Sequence, residues 1–208
     1  MRIVFATGNK DKMREIKQIL GGLDAQILSM KEAGADVDVE ENGTTFAENA
    51  RIKAEAIYNV LKEKEPGEAG NTIVLADDSG LEVDYLGGEP GIYSARYLGK
   101  DTPYGEKNRI IIERLEGARD EERSARFVCA IAACLPGGKT LDTLGKMEGR
   151  IAYEIAGENG FGYDPIFFLP EYGKTSAELT GDEKNAISHR GKALRAMEEL
   201  LSAEIGNV

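Results

Sequence analysis

"VFATGNKDKMREI" (residues 4–16) passes from an apolar, strand-like start directly into a basic segment with helical spacing. Three small residues, TGN at positions 7–9, form the junction, and Lys10 and Lys12 follow at once. A helix that begins here presents backbone N–H groups and the positive end of its dipole, and both favour an anion. The stretch also fits an ordinary strand-to-helix turn, capped by Asn9, with both lysines in solvent.

Length, composition and charge limit the classes of protein to which this chain can belong. The chain has 208 residues, of which 41% are hydrophobic, so we expect a single domain over residues 1–208, with two lobes and no separate linker. The net charge of −11 opposes binding to polymeric nucleic acid, whereas a small anion could still bind where cations gather. No apolar run approaches the roughly 20 residues that cross a bilayer, and a cytoplasmic location is expected. Cys129 and Cys134 lie five apart in a predicted strand and point to opposite faces, which disfavours a local disulfide.

Strand-like and helical patterns alternate along the chain, which predicts an α/β fold with a mixed sheet flanked by helices. Apolar runs predict the strands, and apolar residues at 3.6-residue spacing predict the helices. Strands are expected over residues 3–6, 25–29, 72–76, 124–135 and 141–147, and helices over residues 10–20, 45–64, 104–115 and 189–203.

Two consecutive acids follow the most apolar of these strands. Asp77 and Asp78 come directly after residues 72–76, at the strand end where α/β proteins usually bind ligands. Mg²⁺ prefers such oxygen ligands and bridges one or two carboxylates to substrate phosphates. Glu40 and Glu41, in an acidic loop, could complete the cluster. A solvated acidic turn is the alternative.

An aromatic and glycine-rich segment, FGYD at residues 161–164, is a second candidate. Aromatic rings beside glycine can stack on a base, and Asp164 could accept from a ring N–H or a sugar hydroxyl. A pair of core aromatics in a tight turn fits the same letters.

The segment KNAISHR (residues 184–190) contains His189, the only histidine of the chain. If Thr180 caps one continuous helix, Lys184 and His189 point about 140° apart and share no ligand. If instead Ser188 caps a fresh helix, His189 and Arg190 occupy its first turn and face outward.

Two other motifs are rejected. ACLPGGKT (residues 133–140) resembles a phosphate loop, but Ala133 replaces the first glycine and strand-like alternation follows, so we predict a hairpin turn. DDSGL (residues 77–81) lacks the form of a nucleophile elbow, which argues against a serine triad.

Four segments together resemble one family across nearly the whole chain. TGNKDK, ADDSGLEV with GGEPGIYSARY, GFGYDPIF and EKNAISHRGKAL are similar, in this order, to the inosine triphosphate pyrophosphatases. The resemblance implies a hydrolase of nucleotide metabolism that removes ITP, dITP and XTP as monophosphate and pyrophosphate, keeping them out of DNA and RNA. It further implies an elongated sheet, two lobes with an active-site cleft, a homodimer and dependence on Mg²⁺.

The resemblance also assigns residues. Asp78 takes the place of the catalytic acid and, with Glu41, of the magnesium ligands. The residues implied in substrate binding are Thr7, Gly8, Asn9, Lys10, Asp11, Lys12, Ser79, Phe161, Gly162, Tyr163, Asp164, Lys184, His189 and Arg190. We expect Asp78 to orient a water that the metal acidifies, since an ordinary aspartate is a weak base at pH 7.

Base selection follows from hydrogen bonding. Hypoxanthine and xanthine present a carbonyl at position 6 where adenine presents an amine, so donors from Arg190 or backbone N–H groups would select the former. Two alternative functions remain open at this point: a related-fold pyrophosphatase for modified pyrimidine nucleotides, and a non-catalytic nucleotide sensor. The paired carboxylates favour turnover over mere binding.

Overall fold

The computed structural model describes residues 1–205, in which seven strands and five α-helices alternate. The strands are β1 (Arg2–Phe5), β2 (Gln26–Ser29), β3 (Thr72–Val83), β4 (Ser124–Cys134), β5 (Thr140–Ile151), β6 (Phe167–Leu169) and β7 (Lys174–Thr175). The helices are α1 (Lys10–Ile19), α2 (Phe46–Lys64), α3 (Tyr104–Arg114), α4 (Gly181–Ile187) and α5 (His189–Ile205).

All seven strands belong to one mixed sheet with the order β2-β1-β3-β4-β5-β6-β7. β1 pairs in parallel with β2 and β3, so Val4 lies opposite both Leu28 and Val74. At the other edge, β6 pairs antiparallel with β5 and β7. The mixed sheet flanked by helices confirms the predicted α/β class, while the two lobes and the cleft stay predictions.

The chain divides into two compact units. The first contains residues 1–78, 129–145 and 190–208. Its core joins apolar side chains of β1, β3 and β4 to one face of α1 and of α5, with Ile3, Ile16 and Leu194 fully buried. This burial follows from the sequence, because α1 places Met13, Ile16 and Leu20 on one side.

The second unit contains residues 79–128 and 146–189. Its core is more aromatic: Phe127 packs against Phe167 with ring centroids 4.4 Å apart, and Tyr163 is buried beside them. Ile111 and Leu115 of α3 complete this core.

β3 is longer than predicted. The expected strand ends at Ala76, but the observed one continues through Asp77 and Asp78 to Val83. The prediction that the two acids follow the strand is therefore wrong. Aspartate is in general rare in strands. Here each carboxylate has polar partners that make its burial tolerable. The strand then continues with Leu81 and Val83, both fully buried.

β5 is also longer than the predicted residues 141–147. It begins at Thr140 and continues through Gly149 to Ile151. A Cβ at Gly149 would lie 2.6 Å from the Phe168 carbonyl oxygen and 2.8 Å from the Phe167 ring. Glycine is thus the residue that lets β6 approach β5 closely.

Two smaller predictions are confirmed, one for the segment after β4 and one for the two cysteines. The segment after β4 is a hairpin turn rather than a phosphate loop, since Leu135 N–H donates to the Lys139 carbonyl at 2.8 Å and β5 follows. Cys129 and Cys134 are buried free thiols. Within residues 1–205, none of the helices combines the length and apolar character needed to cross a membrane.

Candidate functional site

The candidate phosphate-binding turn lies between β1 and α1. Asn9 is the N-cap, and its Oδ1 accepts from the N–H groups of Asp11 (2.9 Å) and Lys12 (3.1 Å). Thr7 Oγ1 in turn accepts from Asn9 N–H at 3.2 Å. The predicted cap is therefore present, and it engages two of the N–H groups that the anion hypothesis counted as available.

Gly8 is exposed in this turn, and its φ lies outside the left-handed region. A Cβ built there would meet Met30 at 3.7 Å, which is ordinary van der Waals contact. Neither backbone strain nor internal packing accounts for glycine at this position.

Lys12 belongs to a network of four charged residues in the first unit. Its Nζ lies 2.8 Å from Asp77 Oδ2, the same oxygen that Arg190 Nη2 approaches at 3.2 Å. Arg190 Nη1 also donates to Glu15 Oε2 at 2.5 Å. Burial alone would raise the pKa of Asp77, but Lys12 and Arg190 together outweigh it and hold that pKa well below the usual range. The Asp77 carboxylate is therefore ionised at neutral pH.

Asp78 has the opposite electrostatic character, although it is the next residue. Burial raises the pKa of its carboxyl, and the negative charge of Glu41 raises it further, against the influence of Lys53 and a hydrogen bond from Asn49. Asn49 Nδ2 donates to Asp78 Oδ2 at 3.1 Å, and Lys53 Nζ lies 3.1 Å from Glu41 Oε2. A buried carboxylate with a raised pKa is typical of a functional group.

Asp78 and Glu41 fit a magnesium site of the kind that substrate phosphates complete. Among residues 1–205, no three or more His, Cys, Asp or Glu side chains are arranged to hold a metal ion. Mg²⁺ needs only one or two carboxylates, because it retains waters and binds phosphate oxygens. The repulsion between Asp78 and Glu41 is the feature that a cation would relieve. Glu41 is half-buried whereas Glu40 is exposed, which favours Glu41 as the second ligand.

In the second unit, Asp164 is fully engaged within the protein. Its Oδ2 accepts from Lys184 Nζ at 2.7 Å and from Phe161 N–H at 2.9 Å, and its Oδ1 accepts from Ser176 Oγ at 2.9 Å. A Cβ at Gly160 would lie 2.2 Å from the same Oδ2. Asp164 thus fixes the ammonium of Lys184 and the turn that presents Phe161.

The two aromatic residues of the FGYD segment fit different interpretations of the sequence, one as a core residue and the other as a ring that could stack on a base. Tyr163 is a core residue: it is buried, its hydroxyl donates to the Ser94 carbonyl at 2.8 Å, and its ring meets Tyr104 edge to face. Phe161 is half-buried, and Lys184 Nζ lies 4.9 Å from its ring centroid. Of the two rings, only Phe161 remains compatible with the base-stacking interpretation.

Ser188 separates α4 from α5, so the fresh helix that begins at His189 is confirmed. The expectation that His189 and Arg190 face outward is wrong. His189 is 5% exposed and its ring stacks on Phe127 at 4.8 Å, while Arg190 is 2% exposed within the charge network. Aromatic and acidic partners from distant strands and helices, which periodicity does not reveal, bury both side chains.

The structure thus places the predicted residues in two groups. The first unit contains residues 7–12 with Glu41, Asp78 and Arg190, and the second contains Ser79, residues 161–164, Lys184 and His189. Sequence reasoning missed Glu15, Asn49, Lys53, Phe127 and Ser176. The spacing of Glu15, three residues after Lys12 on a predicted helix, could have revealed that residue. The others pack through the fold and leave no local signal.

The mixed sheet flanked by helices places the chain in the class of α/β proteins, which usually bind ligands at the carboxyl ends of their strands. Residues 3–200 match the model of the Ham1 family. The chain belongs to the Ham1 family, and the resemblance seen in the sequence is confirmed.

Relatives and solved structures agree with this membership. The chain is 50% identical over 200 residues to the dITP/XTP pyrophosphatase of Clostridium perfringens, covering 96% of this chain and 97% of that protein. It is 46% identical to the Bacillus subtilis protein of the same name, covering 96% of each chain. The Staphylococcus aureus Ham1 structure superposes with a TM-score of 0.83 at 41% identity, covering 98% of this chain and 100% of that one.

Proposed function

We propose that this chain is a cytoplasmic, Mg²⁺-dependent nucleoside triphosphate pyrophosphatase that converts ITP, dITP and XTP to the monophosphate and pyrophosphate. The observation that carries the proposal is the pairing of Asp77 and Asp78, adjacent buried acids with opposite electrostatic surroundings. The Asp77 carboxylate already neutralises nearby cations. An added cation would instead favour the ionised form of the Asp78 carboxyl group. A protein that only bound nucleotides would have little use for the second carboxylate.

Phosphate binding is assigned to the first turn of α1. Lys12 provides a full positive charge, and the N-terminal end of the helix provides its dipole. Gly8 leaves room for a phosphate oxygen at a position where the chain's own packing needs no glycine. Phosphoryl transfer depends mainly on such positioning and charge neutralisation.

The chemical step is assigned to Asp78. Its carboxylate would accept a hydrogen bond from the attacking water and orient it toward the phosphoanhydride between the α and β phosphates. Mg²⁺ held by Asp78 and Glu41 would neutralise phosphate charge and make that water more acidic. Lys53, which contacts Glu41 and lowers the pKa of Asp78, would help keep the carboxylate ionised.

Base recognition is assigned to the second unit. Phe161 would stack on the purine, and Lys184, held in place by Asp164, would donate to a carbonyl oxygen of hypoxanthine or xanthine. An adenine amine in that position would leave a buried donor without an acceptor, which costs about 1–3 kcal/mol per group. His189 stays a predicted substrate contact, and so does Arg190, whose guanidinium carries five donors.

A nucleotide panel tests this function. Hydrolysis of ITP, dITP, XTP, GTP, ATP and modified pyrimidine triphosphates would be followed with pyrophosphate and orthophosphate measured separately, with and without Mg²⁺. We expect pyrophosphate release from the first three and little from ATP. Preference for the pyrimidines would support the related-fold alternative, and tight binding without turnover would support a sensor.

The proposed assembly is a homodimer. Three large side chains of one segment of the second unit are strongly exposed: Tyr85 (48%), Tyr93 (56%) and Leu98 (47%). Tyrosine is enriched at protein interfaces, and clustered exposed apolar side chains often mark them. We assign the dimer contact to this tyrosine segment, residues 84–98.

A further inference from the structure

Glu15 is a buried acid that the proposed mechanism does not use. It lies on α1, three residues beyond Lys12, and is 6% exposed. Its carboxylate contacts Arg190 at the start of α5, 175 residues away along the chain. A buried carboxylate is costly unless it is well paired, so its presence one turn from the phosphate-binding lysine calls for a physical explanation.

The contacts of Glu15 lead back to Lys12. Glu15 pairs with Arg190 Nη1, Arg190 Nη2 approaches Asp77 Oδ2, and the same Asp77 oxygen holds Lys12 Nζ at 2.8 Å. All four residues lie in the first unit.

Charge counting shows what Glu15 contributes. Two acids and two bases give a network with no net charge, in which Arg190 divides its attraction between Glu15 and Asp77. Without the charge of Glu15, Arg190 turns wholly to Asp77, and the network gains one positive charge. The Asp77 carboxylate then attracts the Lys12 ammonium less strongly, and the unbalanced positive charge of Arg190 repels it more strongly. The ammonium therefore moves away from Asp77.

We propose that Glu15 is a positioning residue for Lys12, acting through Arg190 and Asp77, and thereby sets the affinity for the triphosphate. The inference depends on the proposed phosphate-binding role of Lys12. A purely structural pair between α1 and α5 would instead affect stability and treat all ligands alike.

The test is the affinity ratio between a triphosphate and a monophosphate. The dissociation constants of the α,β-methylene analogue of ITP and of IMP are measured by calorimetry for the wild type and for Glu15→Gln. We expect the variant to bind the triphosphate analogue about tenfold more tightly, because the network gains one positive charge and Lys12 is released from Asp77, with less than a twofold change for IMP. Equal changes for both ligands would overturn the proposal.

A double-mutant cycle tests the route. In a Lys12→Ala background, Glu15→Gln has lost the group through which it acts, so the triphosphate-to-monophosphate ratio should change by less than twofold. An undiminished tenfold change in that background would show that Glu15 acts without Lys12 and would overturn the inference.

Two variants serve as controls. Glu32→Gln removes an equivalent negative charge from an exposed pair with Lys17 of α1 and should leave the ratio unchanged. Glu15→Asp keeps the charge but shortens the reach, so it should shift the ratio in the same direction by a smaller factor. It also provides the measurement if Glu15→Gln does not fold, and an unchanged ratio would then count against the proposal.

The wild type separates this inference from the proposed function. If the wild type binds the triphosphate analogue no more tightly than IMP, the phosphate-binding role itself fails. If it does bind the analogue more tightly and Glu15→Gln leaves the ratio unchanged, only the role of Glu15 fails.

Discussion

Neighbouring residues with opposite pKa shifts are the most informative feature at the residue scale. Asp77 is ionised more readily in the folded protein than in the unfolded chain, and Asp78 less readily. Through linkage, the two carboxylates make opposite contributions to the free energy of unfolding at neutral pH.

Asp78→Asn should lose activity by about 10²–10⁴-fold, the usual contribution of a catalytic acid or base, and yet become more stable. Because the folded-state pKa of Asp78 is raised, ionisation at pH 7 opposes folding, and the amide removes that opposition. The gain should shrink as the pH falls through the raised folded-state pKa and should be lost below about 3.9, where the unfolded chain also protonates. Denaturant unfolding in the presence of a chelator measures it, and a destabilised variant would contradict the argument.

Asp77→Asn is the matched opposite. The folded-state pKa of Asp77 is lowered, so its charge contributes stability above the ordinary aspartate pKa. The variant should be less stable at pH 7, and the difference should fade as the pH falls from the ordinary aspartate pKa towards the lower, folded-state pKa. The same unfolding measurements at neutral and acidic pH compare the two variants directly. If both variants were more stable than the wild type at pH 7, or both less stable, the assignment of opposite pKa shifts to Asp77 and Asp78 would be contradicted.

Gly8→Ala should separate binding from folding. Alanine fits the backbone and meets only Met30, so the free energy of unfolding should stay equal or rise by up to about 1 kcal/mol. The added methyl group should nevertheless raise KM for the triphosphate by about ten- to hundredfold, because it occupies the space assigned to phosphate. Gly22→Ala, with nothing within 4 Å, is the control and should leave KM unchanged. An unchanged KM in Gly8→Ala would remove Gly8 from the site.

At the scale of elements, local patterns predicted most of the helices and strands. α1 and α2 begin where Asn9 and Thr45 cap them, because capping and apolar spacing act within a few residues. β3 and β5 exceed their predicted lengths, since Asp78 and Gly149 are tolerated only through contacts made by distant parts of the chain. Local signals therefore gave the elements, and tertiary contacts decided where two of them end.

The same distinction holds for the candidate site. Motifs identified the segments that contain Asp78, Phe161 and Lys184. The burial of His189 against Phe127 depends on the packing of the second unit, which no local spacing encodes.

Gly149→Ala should destabilise the β5–β6 pairing by about 1–3 kcal/mol, the usual cost of overpacking, because the new methyl group would collide with the backbone of Phe168. Gly105→Ala is the matched control. It lies in α3 with open space around it, and alanine there should stabilise the protein by roughly 0.5–1 kcal/mol. Denaturant unfolding of both variants measures the contrast, and equal stabilities would refute the close-approach argument.

At the scale of the whole molecule, the negative charge of the chain contrasts with the lysines, Lys10 and Lys12, at the proposed phosphate-binding turn. A net charge of −11 discourages association with polyanions over most of the surface. The proposed dimer contact must therefore depend on apolar and aromatic side chains more than on charge.

Tyr93→Glu should weaken the proposed dimer, since it places a charge in the centre of the tyrosine segment. Sedimentation equilibrium should give twice the chain mass for the wild type and a mass close to the single chain for the variant. Leu144→Glu, also 56% exposed but in the first unit, should remain dimeric. A monomeric wild type would exclude the homodimer.

The network of Glu15, Asp77, Arg190 and Lys12 has a consequence for the behaviour of the protein in concentrated salt. Dissolved ions weaken attraction between groups that water surrounds, such as Arg109 and Glu113, whose side chains are each 56% exposed. They have little access to Arg190 and Asp77, which are only 2% and 1% exposed. Raising the ionic strength therefore loosens the peripheral ion pairs first and leaves the buried pair of Arg190 and Asp77, which Lys12 contacts, largely intact.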